Sequence, residues 1–207
     1  FNSDSTQPNG KVVGAIWESY LAKNITEAYD AFFPMMDDPQ VLAFLSEKAE
    51  KYQMKNPKQT AEQVRQNCED GILREVWKAC RSSDIYGNFG MHQSACAEAA
   101  VTLDTMPESR EMIDWIFQTG DRIGVHEVSG GDVLRQLVNV ISRDGLGNES
   151  SPQYSNLWLD SVLEIANALS GYENYSAANL YKNPKLIKML SSGFPLILTR
   201  NQTVQIG

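Results

Sequence analysis

The sequence is poor in the residues that build covalent or metal frameworks, with three cysteines and two histidines in 207 residues. Cys68, Cys80 and Cys96 are odd in number and show no Cys-x-x-Cys spacing, which argues against a disulfide scaffold and against a zinc site. No pattern calls for a cofactor. Basic residues are outnumbered, 18 Lys and Arg against 26 Asp and Glu, leaving a formal charge of -8. A general nucleic-acid binder needs a basic face to displace counterions, so that class is set aside. No apolar run approaches the roughly 20 residues required to cross a bilayer, so no membrane span is expected. Strand-like alternation of period two is missing before residue 194. Phe1-Asn2-Ser3-Asp4 has neither a basic start nor an apolar leader core, so the chain is either cytoplasmic or has already lost a leader. Asn24, Asn148, Asn174 and Asn201 each open an Asn-x-Ser/Thr triplet, a weak signal in a chain rich in these residues.

What remains is ordinary globular composition, 42% hydrophobic and 21% charged, arranged with helical spacing. After a polar start, Val12, Val13, Ile16, Trp17, Tyr20, Leu21, Ile25, Ala28, Tyr29 and Phe32 form a predicted apolar stripe that runs to Pro34. Asp38-Pro39 opens a second helix with Val41, Leu42, Leu45, Ala49 and Tyr52 as its buried face. Thr60 and Gln63 fit a capping box for a third, carrying Val64, Cys68, Ile72, Leu73, Val76, Trp77 and Cys80. A glycine-broken segment, 82 to 90, precedes an Ala-rich helix from Met91 to Leu103, whose small side chains suit the centre of an array. A short helix carries Met112 to Phe117, residues 119 to 131 read as an irregular loop, and Asp132 to Ser142 is helical again. Asn183-Pro184 opens a last short helix to Leu190. The class is therefore all-α, with seven or eight helices joined by short links.

Two stretches carry candidate chemistry. Asp144-Gly-Leu-Gly-Asn-Glu149-Ser-Ser-Pro-Gln-Tyr154 is a loop feeding a helix. Ser150 or Ser151 is placed to cap it, Pro152 suits its first turn, and Tyr154 follows in that turn, with Trp158 one turn later. Tyr86-Gly-Asn88-Phe-Gly-Met-His92-Gln93 is likewise a glycine loop leading into a helix, with an amide and an imidazole at its start. Taken locally, Tyr154 and Trp158 also suit packing, Glu149 suits a helix cap, and His92 suits a hydrogen-bonded structural role.

Together, and in this order, the two stretches resemble the heparinase II/III family of polysaccharide lyases over roughly residues 60 to 207. The resemblance implies an incomplete α/α toroid of helical hairpins over residues 1–193. Residues 194–207 would then begin the connection to a β-rich domain absent from this chain, which would be a fragment of a larger protein. It also implies β-elimination on a uronic acid within an acidic polysaccharide such as a glycosaminoglycan or alginate, in a periplasmic or secreted protein. Tyr154 would act as base and acid, while Asn88 and an imidazolium at His92 neutralise the carboxylate. Some members carry His directly after the Asn, where this chain has Phe89, so the acid is either His92 or His126. Gln93, Glu149, Trp158 and His126 are the implied substrate-binding residues, and a cation near Tyr154, from His92, Arg81, Arg122 or His126, would favour its phenolate. Two other readings stay open: a carbohydrate-binding helical toroid without catalysis, and an α/α-barrel glycoside hydrolase, which needs two facing carboxylates.

Overall fold

A computed structural model describes residues 16–123, 127–149, 151–173 and 179–196. Helices dominate: α1 Glu18–Phe32, α2 Pro39–Lys51, α3 Ala61–Cys68, α4 Arg74–Arg81, α5 Met91–Leu103, α6 Glu108–Phe117, α7 Val133–Asn139, α8 Pro152–Leu169 and α9 Pro184–Ser191. A π-helical turn, Glu69–Leu73, joins α3 to α4, so the segment expected as one helix is continuous but bulged around Gly71. Among the described residues no helix is long and apolar enough to span a membrane. The expected irregular loop at 119 to 131 contains a two-residue antiparallel hairpin, β1 Arg122–Ile123 and β2 Glu127–Val128. These strands are too short for a period of two to register in the sequence.

Several helix starts follow directly from local chemistry. Asp38 accepts hydrogen bonds from Gln40 N at 2.7 Å and Val41 N at 3.2 Å, and Asn183 accepts from Lys185 N at 2.9 Å, each followed by a proline. Thr60 Oγ1 accepts from Gln63 N, while Gln63 Oε1 accepts from Gln59 N rather than from the cap residue itself. Helix α7 is shorter than the apolar pattern suggests. It stops at Asn139, because Ile141 leaves the helix to form a β-bridge with Gly147.

The hub is α5. Ala95, Cys96, Ala97, Ala99 and Ala100 are all buried, and α1, α4, α6 and α8 pack around it. A helix buried on every side needs small residues on every side, and its alanines let four neighbours approach closely. This requirement shifts the expected stripe of α1: Tyr29 is buried as expected, Ile16, Tyr20, Leu21 and Ile25 are half-buried, and Val12 and Val13 lie outside the described residues. Trp17 and Phe32 are 63% and 65% exposed, while Ser19, Ala22, Lys23, Thr26 and Tyr29 turn inward. The small side chains Ser19, Ala22 and Thr26 allow close contact with α5 that a row of aromatics would prevent. Helix α2 also departs from expectation. Ala49 is buried and Leu42 and Leu45 are half-buried, but Tyr52 and Phe44 face outward.

The inward polar face of α1 carries a charge cluster into the α1–α5–α8 contact. Lys23 Nζ pairs with Glu164 Oε2 of α8 at 2.5 Å. Glu98, on α5, has Oε2 buried without a hydrogen-bond partner. Burial, reinforced by the carboxylates of Glu164 and Glu27 and opposed by Lys23, pushes the Glu98 carboxyl up from 4.5 to about 7. A carboxyl raised by folding favours the fold when protonated. Its contribution is intact below pH 4.5, declines as pH rises toward 7, and is lost above. Glu98→Gln is therefore expected to be more stable than the parent at pH 8 by about 1–2 kcal/mol, a value discounted for the part of the carboxyl that stays solvated, and nearly equal at pH 4. Urea unfolding at the two pH values checks this, and the same difference at both would refute the titration.

Candidate functional site

The two glycine-rich stretches meet because each lets backbone touch α8. Gly90, at the start of α5, has φ +92°, and a Cβ there would lie 2.7 Å from Ser161 Cβ. Gly147 lies against the ring of Trp158, where a Cβ would come within 2.7 Å of two ring carbons. Gly145, with φ +94°, sits on the Lys188 carbonyl of α9, and Lys185 Nζ donates to the carbonyls of Ile141 and Ser142. The loop between α7 and α8 is thus held by its own bridge, by α9 and by Trp158. Its junction with α8 is tied by the Ser155 hydroxyl, which accepts from Gly147 N at 3.1 Å. Ser151 occupies the N-cap position through its carbonyl, which accepts from Ser155 N at 2.9 Å. The Ser151 side chain makes no cap hydrogen bond, and Ser150, the other expected cap, lies outside the described residues.

Between these loops lies a cavity of about 310 Å³, at the small end of the roughly 300–1,000 Å³ of small-molecule sites. Asn88, His92, Gln93, Glu149 and Trp158 line it, with Gly87, Phe89, Gln136, Val140 and Asn148 completing its walls. Met91 closes the Asn88 loop, its N donating to Asn88 O at 3.1 Å and its sulfur accepting from Asn88 N at 3.2 Å. Trp158 is only 4% exposed and meets Phe89 edge to face, with centroids 6.1 Å apart. It is a core residue with little exposed ring surface, so a broad stacking face is not on offer. Glu149 is exposed at the rim, before the helix start.

Three side chains in this wall carry unmet hydrogen-bonding capacity: Gln93, His92 and Trp158, whose Nε1 is buried without a partner. Gln93, 4% exposed, donates from Nε2 to Gly131 O at 2.8 Å, while its Oε1 is buried and partnerless. His92 packs against Trp115 with centroids 6.4 Å apart, and its Nδ1 is also buried without a partner. An orphan of this kind costs about 1–3 kcal/mol. Burial lowers the His92 pKa from 6.5 to about 4. The imidazole is therefore neutral near pH 7, which corrects the expectation of a standing imidazolium: the ring sits in a wall with no Lys or Arg among its lining residues.

Tyr154 is on the first turn of α8, 43% exposed, one turn before Trp158. It is not among the residues lining the cavity. His126 lies outside the described residues. Arg81 stacks over Trp77 at 5.3 Å, and Arg122 is exposed in β1; neither lines the cavity. Sequence reasoning missed Gln136, which stands on α7 with no motif around it. Asn148 lay inside a quoted motif but stood out only as the start of a triplet. Among the described residues no cluster of three or more His, Cys, Asp or Glu could hold a metal ion. No family model, curated protein or solved structure matches the chain.

The closeness of Gly90 to α8 can be separated from its backbone geometry. Gly171 also has positive φ, at +79°, but a Cβ there meets nothing within 4 Å. Gly171→Ala is expected to cost about 1 kcal/mol, and Gly90→Ala about 2–4 kcal/mol because overlap with Ser161 adds to the strain. Equal losses in chemical denaturation would mean that the contact contributes nothing.

Proposed function

We propose that the protein cleaves a uronic-acid-containing polysaccharide by β-elimination, and that the cavity receives the uronate ring. The observation that carries this reading is the convergence of two distant stretches, Asn88 to Gln93 and Glu149 to Trp158, on one small polar cavity. An amide, an imidazole and a second amide on one wall are groups that can hold sugar hydroxyls and a carboxylate in the absence of a fixed cation. On the same reading the helical array is part of an α/α toroid and a β-rich domain completes the cleft.

In this reaction Tyr154 phenolate takes the proton next to the carboxylate, and the electron pair forms the new double bond. The glycosidic C–O bond breaks, and the phenol returns the proton to the leaving oxygen. Asn88 donates to the carboxylate as negative charge builds on it. A uronate entering beside His92 favours its protonated form, so binding takes up a proton that the empty site does not hold. Affinity for a uronate oligosaccharide should therefore be higher at pH 5 than at pH 7.5, a trend that calorimetry in buffers of different ionisation enthalpy would report and that His92→Ala should abolish.

The decisive assay follows absorbance from the unsaturated uronate product in the full-length protein. Tyr154→Phe is expected to lower kcat by at least about a hundredfold while binding persists; turnover that survives the change rules the role out. A second reading, a saccharide-binding module without catalysis, is favoured by the absence of Tyr154 from the cavity wall. Under it, oligosaccharides bind in the wild type but no unsaturated product ever forms.

A further inference from the structure

Two buried thiols meet where α4 packs on α5. Cys80, in the last turn of α4, is 1% exposed, and Cys96, in the middle of α5, is 0% exposed. Cys80 Sγ donates to His92 O at 3.4 Å. His92 stands four residues before Cys96, so within the helix the same carbonyl oxygen accepts from Cys96 N at about 3 Å. The Cys96 Cβ leans back over that turn. The Cys80 sulfur is therefore seated on the turn of α5 that the Cys96 side chain covers. The two thiols interact directly, and that contact together with burial holds the Cys96 thiol well above the usual thiol range.

A buried cysteine is by default a small apolar residue. Two features set this pair apart. Around Cys96 the helix carries Ala95, Ala97, Ala99 and Ala100, all fully buried, and small residues let a neighbouring helix come close. A disulfide needs that closeness, with Cα atoms about 4.4–6.8 Å apart. The chain between the two cysteines, residues 81 to 95, is also the segment that brings Asn88, His92 and Gln93 into the cavity wall. A covalent link would close it into a ring based on the α4–α5 contact. Cys68, half-buried on α3, is the odd member of the three.

We infer that Cys80 and Cys96 form a disulfide when the chain folds in the presence of a disulfide oxidant, and that this bond clamps the segment bearing Asn88, His92 and Gln93. One cysteine thiolate attacks a sulfur of the donor disulfide, a mixed disulfide forms, and one donor thiolate leaves. The second cysteine thiolate attacks the first cysteine's sulfur, the new S–S bond forms, and the other donor thiolate leaves. Both cysteine protons end on the donor thiolates, and two electrons pass from the cysteines to the donor. In the folded protein both sulfurs are enclosed and Cys96 is a neutral thiol, so the exchange belongs to the folding chain. The finished bond is then shielded from reductants. A single bridge of this kind is not a scaffold, and no local spacing marks it in the sequence. It is also independent of what the cavity binds.

The test refolds the full-length protein from urea in two buffers, one containing reduced and oxidised glutathione and the other dithiothreitol. Free thiols are then alkylated under denaturing conditions and the peptides mapped by mass spectrometry. The oxidised sample is expected to yield Cys80 and Cys96 in one linked peptide, with Cys68 alkylated. Its Tm should lie about 5–10 °C above that of the reduced sample, while a Cys80→Ala/Cys96→Ala double variant has one Tm in both buffers. Wild-type protein secreted into an oxidising compartment and mapped without refolding should show the same linked peptide, a readout that needs no variant to fold. Cys80 and Cys96 both alkylated in the oxidised samples, or either one joined to Cys68, overturns the inference. A linked pair with no gain in Tm keeps the bond and overturns the clamp.

Discussion

The constraint on which the rest depends is the close approach of α5 to α8. It is possible only because α5 carries alanine where other helices carry large side chains and begins at a glycine whose missing Cβ is occupied by Ser161. Spacing between packed helices is set by the side chains at the contact, and small residues bring the axes together. Because the first turn of α5 is held against the middle of α8, the loop before α5 and the loop before α8 end beside one another. The cavity is the space left between those two loop ends. Its position follows from helix packing, and its chemistry from what each loop carries at its tip.

Charge is distributed in an instructive way. The protein is acidic overall, yet the cavity wall is built mainly from amides, an uncharged imidazole and aromatic edges, with one carboxylate at the rim. Two charged contacts stand outside that wall: Lys23, Glu98 and Glu164 meet at the α1–α5–α8 contact, and Asp132, paired with Arg135, accepts from Gln136. A neutral dipole held by a fixed hydrogen-bond partner keeps its direction when a ligand arrives, and so loses little free energy to reorganisation. An isolated cation in the same wall would have to be desolvated without a permanent partner.

Much of the architecture was legible along the chain. Asp38-Pro39, Thr60 with Gln63, and Asn183-Pro184 mark helix starts through bonds that form within a few residues, so a local reading suffices. The Ala-rich composition of α5 likewise announces a central helix. The orientation of α1 was not legible. Its apolar stripe and its small-residue stripe compete, and only the surface of α5, distant in sequence, decides that the small stripe turns inward. The end of α7 was equally hidden, since Ile141 leaves the helix to pair with a glycine on the far side of a turn.

For the site, the sequence alone determined which residues stand at the starts of α5 and α8, because glycine, proline and polar residues punctuate a chain through their own backbone preferences. It also carried the amide, imidazole, carboxylate and phenol that suggested sugar chemistry. Only the tertiary structure decided that Asn88, His92, Gln93, Glu149 and Trp158 share a cavity, that Tyr154 stands one turn outside its wall, and that Gln136 belongs within it. It alone made His92 neutral, since desolvation depends on everything packed around a ring and on nothing in the residues beside it in sequence.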